Sequence, residues 1–267
     1  MTILYTGQSN AALFPCHCPA EPAGGVSRRA TKIRELRKDN PDLLLLETGD
    51  SFAGGVKDYL SQGETIDKRR TSVYLSSLKL MGYDALNSGE NVLNFGNAFL
   101  REMLKKTRLA IIGLNTFELK PYIIRNINGL KLAVIGFGGY KIESPASRDA
   151  DNLRNLIEKL KKDGVDFIIV LSDRGLESDF KLIKQVEGIN CILSSNASVN
   201  NQKPVLEVGN TLIGLSFWQA RRISRLDLDI KDSKIISFKH SEIKLTPDVL
   251  DDAKISGILL KYPEFKK

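Results

Sequence analysis

The chain has 267 residues, of which 42% are hydrophobic and 27% charged, and its formal net charge is +7. This is an ordinary globular balance in a chain long enough to bury a sizeable core, and no stretch approaches the roughly 20 apolar residues of a membrane span. No basic motif interleaved with aromatic residues points to nucleic acid. The basic residues are scattered. This pattern favours basic residues that lie on solvated helix faces over a single basic surface that binds an acidic partner. Their groups are Arg28-Arg29, Lys68-Arg69-Arg70, Lys105-Lys106, Lys161-Lys162 and Arg221-Arg222.

Strands and helices alternate through the first half of the chain. A short buried strand is predicted in "MTILYTG", and apolar residues at helical spacing follow in "GGVSRRATKIRELRKDN". The run "DLLLLETGD" is continuously apolar before its polar end, as buried parallel strands are. The next helix, "RRTSVYLSSLKLMG", ends at Gly82 and precedes a strand in "YDALNSG", a helix in "AFLREMLKKT" and a strand in "RLAIIGLNT".

A hairpin interrupts this alternation, because Asn128 and Gly129 split two strand-like runs in "YIIRNINGLKLAVIGF". Two helix–strand pairs follow, and the last third is rich in strands before a C-terminal helix around "DDAKISGILLKY". This order predicts an α/β fold of two packed sheets with helices outside, an αββα sandwich. We expect residues 1–245 to form the domain and residues 246–267 a helical tail.

Five of the predicted strands end in polar loops. These loops are "TGQSN", "ETGDS", "NSGEN", "LSDRG" and "LSSNAS". Because α/β sheets bind ligands at the carboxyl ends of their parallel strands, we expect the five loops to converge on one site.

The three cysteines do not form the framework of a disulfide-rich domain. Cys16 and Cys18 flank His17 in "PCHCP", close to the first loop. These three residues could bind a soft metal or carry out redox chemistry. The alternative is that they form a structural loop, with or without a disulfide bond between the two cysteines. Cys191 lies within an apolar strand and is expected to be a core thiol, and for Trp218 core packing is favoured over an interface role.

Six segments between Ile3 and Leu228 resemble the metallophosphoesterase domain of the 5'-nucleotidase family, within the calcineurin-like phosphoesterase superfamily. They are "LYTGQSNAALFPC", "GGVSRRATKIRELRKDNPDLLLLETGDSF", "MGYDALNSGENVLNFG", "YIIRNINGLKLAVIGF", "GVDFIIVLSDRGLESD" and "VEGINCILSSNAS". The resemblance implies a two-sheet sandwich of the metallophosphoesterase type. It also implies two divalent metals and hydrolysis of phosphate esters by a metal-bound water.

The first three loops depart from the ligand pattern that the resemblance implies. An Asp and a His are implied in the first loop, where this chain has Gln8 and Asn10. The bridging Asp of the second loop is retained as Asp50. In the third loop, Glu90 replaces a ligand Asn, and Asn91 replaces a catalytic His, which removes a general acid.

The last two loops depart in the same way. Asp173 stands where the fourth loop of the family has a His, and Asn196 and Ser198 stand where the last loop has two. No imidazole of the implied set remains, and imidazoles suit zinc, iron and manganese better than amides or hydroxyls do. The eight positions are expected to line one pocket, and a dinuclear transition-metal centre is not expected there.

Three hypotheses about function follow from the residues and the resemblance. The first is a catalytically degenerate domain that binds a small polar ligand or acts as a scaffold for a protein partner, with no cofactor. The second is a hydrolase rebuilt around one hard cation, Mg²⁺ or Ca²⁺, on Asp50, Glu90 and Asp173; the alternative for these carboxylates is a hydrogen-bonded polar cluster. The third is a metal or redox module at Cys16, His17 and Cys18.

The ends of the sequence carry two further expectations. The chain starts directly in a strand, so the protein is either cytoplasmic or, as in many exported members of the family, has lost a signal. It stops at Lys267, with no room for the second domain that grips the base in 5'-nucleotidases, so selective nucleotidase activity is not expected. Oligomeric state and partner identity are not predicted.

Overall fold

The computed structural model describes residues 1–19, 21–116, 118–138, 146–195 and 203–265, with backbone only at 146 and 147. Twelve strands and six α-helices lie within these ranges. The strands are β1 (Thr2–Thr6), β2 (Leu44–Glu47), β3 (Ala85–Asn87), β4 (Ile111–Ile112), β5 (Tyr122–Ile127), β6 (Leu130–Phe137), β7 (Phe167–Ser172), β8 (Cys191–Ser194), β9 (Val205–Val208), β10 (Thr211–Leu215), β11 (Arg222–Lys231) and β12 (Lys234–Lys244). The helices are α1 (Val26–Asp39), α2 (Glu64–Met81), α3 (Gly96–Thr107), α4 (Ala146–Lys162), α5 (Leu176–Gln185) and α6 (Ala253–Leu259).

Two six-stranded sheets contain all of these strands. The first sheet has the order β12-β11-β1-β2-β3-β4, and the second has the order β5-β6-β7-β8-β10-β9. In the first sheet β1 to β4 are parallel, and β11 pairs antiparallel with both β1 and β12. In the second sheet β6, β7, β8 and β10 are parallel, and β5 and β9 are antiparallel edges.

The core has three apolar layers, which explains the continuous apolar runs in the sequence. Ile3 and Tyr5 of β1 point into the layer between the sheets, together with Phe167 of β7. Leu4 points to the opposite face, into the layer under α1, α2, α3 and α6. A third layer lies between the second sheet and helices α4 and α5. Because both faces of each sheet are covered, the strands need apolar residues at nearly every position. The predicted αββα sandwich is confirmed.

Two predicted turns have the backbone geometry that their residues favour. Helix α2 ends at Gly82, whose φ of 74° is left-handed and whose N–H caps the carbonyl groups of Leu78 and Lys79. Asn128 and Gly129 connect β5 to β6 with φ values of 51° and 82°, as a two-residue hairpin turn requires.

The C-terminal segment packs against the first sheet's helical layer. Asp252 accepts a hydrogen bond from the backbone N–H of Ile255 at 2.9 Å and so caps α6. It also pairs with Arg34 of α1, while Ser27 Oγ donates to the Asp252 carbonyl at 3.1 Å. The division of the chain at residue 245 stays a prediction. None of the helices described has the length and apolar character that crossing a membrane requires.

Candidate functional site

Backbone hydrogen bonds join the loops that follow β1, β2 and β3. Gln8 N donates to Gly49 O at 3.0 Å, and Asn10 N donates to Asp50 O at 2.7 Å. The third loop is tied to the second because Glu90 N donates to Asp50 Oδ1 at 3.2 Å. Gln8, Asn10 and Asp50 all have left-handed φ values, of 50°, 44° and 57°. Such conformations are uncommon outside glycine and concentrate at functional sites.

The side chains of Asn10 and Asn91 contact each other across the first and third loops. Asn91 Nδ2 donates to Asn10 Oδ1 at 3.1 Å. Asn10 is 4% exposed and Asn91 is half-buried, whereas Glu90 is exposed. The two amides that stand at implied histidine positions therefore satisfy each other.

Asp173, at the end of β7, reaches the same place from the second sheet. It is fully buried, and a Cβ atom placed on Gly49 would lie 3.0 Å from Asp173 Cβ. The fifth loop begins there too, since Ser195 Oγ lies 3.4 Å from Thr48 O and donates to it. The structure thus brings together Gln8, Asn10, Asp50, Glu90, Asn91 and Asp173, while Asn196 and Ser198 fall outside the described residues.

The Asp173 carboxylate needs a glycine at residue 138. A Cβ atom on Gly138 would lie 1.5 Å from Asp173 Oδ1. We expect Gly138→Ala to lower the free energy of unfolding by about 1 to 3 kcal/mol, because an extra methyl in a packed place forces shifts. Chemical denaturation checks this, with Gly257→Ala as the control, since nothing lies within 4 Å of its Cβ position. The double variant Gly138→Ala, Asp173→Ala should recover part of the lost free energy of unfolding. If the effects of the two single substitutions simply add in the double variant, the contact is disproved.

Burial and a like charge perturb the Asp50 carboxyl. Burial, followed by the charge of Glu90, raises the pKa of Asp50 to about 6, and Lys57 opposes this shift. Two carboxylates that share a pocket repel in this way unless a cation or a proton is present.

A buried ion-pair network supports the first loop, and the sequence analysis did not find it. Arg70 of α2 is 2% exposed and pairs with the buried Asp58 and with Asp67, the latter at 3.0 Å. Its Nη1 also donates to the Asn10 carbonyl at 3.2 Å. Asp58 in turn accepts from Gly54 N at 2.7 Å, so the network holds the segment after the second loop against the first.

A second buried charge lies beneath the site at the end of β2. Glu47 accepts hydrogen bonds from Thr6 and from Ser9 Oγ, the latter at 2.6 Å. Thr6 Oγ1 is also 2.7 Å from Tyr83 OH, which faces Arg29 Nη1 at 3.5 Å. The expectation of solvated basic groups is therefore wrong for both Arg29 and Arg70, because both are buried. Arg70 pairs with two carboxylates, and the charge of Arg29 opposes the rise that burial causes in the pKa of Glu47. The feature of the sequence that indicates a buried charge here is Glu47, a single acidic residue at the end of an apolar strand.

The other candidate ligands do not lie in this cluster. His17 is exposed, and His240 lies on β12, opposite Leu226. Cys16 and Cys18 form a disulfide, so neither offers a thiolate to a metal in this state. Cys191 is buried, as predicted. Within the described ranges, no three His, Cys, Asp or Glu side chains form a group that could hold a metal ion. The hard-cation hypothesis stays a prediction.

Comparison with known proteins agrees with this architecture. No family model matches the sequence. The snake venom 5'-nucleotidase of Crotalus adamanteus is 30% identical over 224 residues, which are 74% of this chain and 37% of that protein. The chain thus spans well under half the length of such relatives. A solved 5'-nucleotidase precursor from Thermus thermophilus has a TM-score of 0.79 at 20% identity, covering 99% of this chain and 58% of its own.

A second solved structure matches from end to end. The calcineurin-like phosphoesterase from Bacillus subtilis has a TM-score of 0.75 at 19% identity, with 100% of this chain and 99% of that chain covered. The likeness in sequence to 5'-nucleotidases and the likeness in fold to both structures lead to one assignment. The chain has the fold of the calcineurin-like phosphoesterases and, in sequence, is similar to the metallophosphoesterase domain of 5'-nucleotidases.

Proposed function

We propose that this domain is catalytically degenerate: it binds a small polar ligand at the cluster of strand-end loops and does not hydrolyse phosphate esters. The observation that carries the proposal is the hydrogen bond from Asn91 to Asn10. The resemblance implies a metal ligand and a catalytic acid at these two positions. Two amides that satisfy each other supply neither function at neutral pH.

The donor set of the site does not fit two borderline metal ions. Gln8, Asn10 and Asn91 offer neutral amide oxygens, and Asp50 and Asp173 lack imidazole neighbours. Zinc, iron and manganese sites in proteins are built mainly from imidazole, thiolate and carboxylate groups. These residues therefore do not support a hydrolytic step through a pair of such metals.

Two buried polar atoms support the binding role. Gln8 Nε2 and Asn87 Oδ1 have no hydrogen-bond partner among the residues that the structure describes. A buried donor or acceptor without a partner costs about 1 to 3 kcal/mol. A ligand group that reached Gln8 Nε2 or Asn87 Oδ1 would recover part of this free energy, which favours a ligand with hydrogen-bonding groups.

The activity prediction follows directly. Purified protein supplied with Mn²⁺, Zn²⁺ or Mg²⁺ should hydrolyse neither nucleoside monophosphates nor p-nitrophenyl phosphate at the roughly 1 s⁻¹ typical of slow enzymes. Release of inorganic phosphate is the measurement, and Asp50→Ala is the control for a contaminating phosphatase. A rate above that value which Asp50→Ala abolishes would sink the proposal, whereas a rate that survives the substitution belongs to a contaminant.

The second candidate function is the rebuilt hydrolase, and the observation that favours it is the buried Asp50 carboxyl, which the third loop approaches through the hydrogen bond from Glu90 N. One divalent cation between Asp50 and Glu90 would relieve their repulsion. Thermal unfolding with added Mg²⁺ or Ca²⁺ separates the two functions. A melting temperature that rises with the cation, and no longer does so in Asp50→Asn, would favour the hydrolase; no change in either protein would favour the binding role.

A further inference from the structure

A cleft beside the site contains the disulfide and is walled by aromatic residues. Its volume is about 220 Å³, and it lies between the segment after the first loop and the 3-10 helix Trp218–Ala220. The rings of Tyr59 and Trp218 meet edge to face at 5.7 Å, and Tyr59 is 78% exposed. The lining residues that matter below are Phe14, Cys16, His17, Tyr59, Trp218 and Arg221.

Each sulfur of the disulfide faces an N–H donor. The backbone N–H of Ala23 donates to Cys16 Sγ at 3.4 Å, and Arg221 Nη1 donates to Cys18 Sγ at 3.3 Å. Neither donor contributes much to a neutral disulfide. Both would stabilise thiolates, because a cation or an N–H group beside a sulfur favours its charged form.

Arg221 is held in place but not neutralised. Its guanidinium lies 4.6 Å from the centre of the Trp218 ring, and its Nε and Nη2 donate to Gln219 Oε1 at 3.0 and 2.6 Å. No carboxylate pairs with it in the part of the chain that the structure describes. Partial burial lowers the pKa of Arg221, so an anion beside it would be stabilised.

We propose that Cys16 and Cys18 form an exchangeable disulfide that oxidises a protein dithiol docked in this cleft. Cys16 lines the cleft and Cys18 is not among its lining residues, so Cys16 is proposed as the cysteine that an incoming thiolate attacks. Cys18, beside Arg221, is the leaving group. The exposed Tyr59 and the half-buried Trp218 supply apolar surface for the residues that flank the partner's cysteines.

The exchange balances in two steps. A thiolate of the partner attacks Cys16 Sγ, the Cys16–Cys18 bond breaks, and the electron pair leaves on Cys18 Sγ, opposite Arg221. The partner's second thiolate then attacks the partner sulfur that is bonded to Cys16 in the mixed disulfide. This releases Cys16 as a thiolate, opposite the Ala23 N–H. The partner loses two electrons and two protons, and the two cysteines of this chain gain two electrons, with protons exchanged through solvent.

The first test asks whether the disulfide forms and opens. After equilibration with oxidised glutathione, denatured protein should show one titratable thiol, that of the buried Cys191. Dithiothreitol should then raise the count to three. A count of three after the oxidation step would overturn the proposal, as would a disulfide that dithiothreitol does not reduce in the folded protein.

The second test isolates Arg221. Arg221→Met should slow reduction by dithiothreitol about tenfold, because a leaving thiol of higher pKa departs more slowly. Arg221→Lys keeps a cation and should stay within about threefold of wild type. Arg222→Met is the matched control, since Arg222 is the adjacent residue, lies over Phe217 at 4.9 Å and pairs with Glu242 instead. Should Arg221→Met misfold, Arg221→Gln is compared in its place. Equal rates in all of these proteins would overturn the role of Arg221 and with it the proposal.

This activity is independent of the binding role proposed above. Among the described residues, the hydrogen bonds of Cys16 and Cys18 go to neither Asn10 nor Asn91, so a failure of one set of tests does not decide the other.

Discussion

Arg70→Met is expected to lower the free energy of unfolding by about 3 to 5 kcal/mol, because it leaves the buried carboxylates of Asp58 and Asp67 without their cation. Methionine fills much of the same volume, so the loss reports the missing charge and hydrogen bonds rather than a cavity. The Asn10 carbonyl also loses a donor, which should loosen the first loop of the site. Equilibrium denaturation in urea measures the effect.

The adjacent arginine provides the control. Arg69 is exposed, lies over Tyr262 and pairs with Glu264 at 3.0 Å, and Arg69→Met should change the unfolding free energy by no more than about 1 kcal/mol. If Arg70→Met costs as little as Arg69→Met, the buried network does not hold the loops and its proposed role is wrong.

Asp50→Asn is expected to stabilise the protein at neutral pH. In the folded protein the pKa of Asp50 is raised to about 6 from an ordinary 3.8, chiefly by burial. Between these pH values the folded state binds more protons than the unfolded state, so wild-type stability falls as the pH rises through this window. Asparagine removes the ionisation and can still accept the hydrogen bond from Glu90 N. The variant should gain about 3 kcal/mol at pH 7.5 and nothing at pH 3.5.

The pH dependence of the difference is the decisive measurement. Thermal or urea unfolding of both proteins from pH 3.5 to 8 should show the two stabilities diverging mainly between pH 4 and 6. Asp42→Asn, at an exposed turn, controls for the general effect of removing one negative charge. A constant difference across the range would mean that the Asp50 carboxyl does not titrate with a raised pKa.

Local patterns in the sequence were sufficient for the elements and for the approach of the strand-end loops to one another. The apolar runs of β1 and β2 have no polar face because helices and a second sheet cover both sides. Asn128 and Gly129 adopt positive φ values for reasons that are local to those residues. The strand-end rule predicts that polar loops meet, and Gln8, Asn10, Asp50 and Asp173 do lie together.

The contacts that give the site its character depend on pairings across the chain. Arg70 and Asp58 are twelve residues apart, but the Asn10 carbonyl that Arg70 also contacts is sixty residues away. Nothing in the "KRR" group distinguishes the buried Arg70 from the exposed Arg69. Likewise, Arg221 meets Cys18 across 203 residues, and no periodicity in a single sequence reports such a pair.

The central position of β1 constrains how the chain folds. β1 is paired with β2 on one side, but its other neighbour is β11, and Thr2 Oγ1 contacts Asp227 across 225 residues. During synthesis the edge of β1 that faces β11 therefore stays open until residues 222–231 have been made. Contacts of such long range slow folding and expose unfinished strands to aggregation. Truncation before residue 222 should accordingly yield an insoluble product rather than a smaller folded domain.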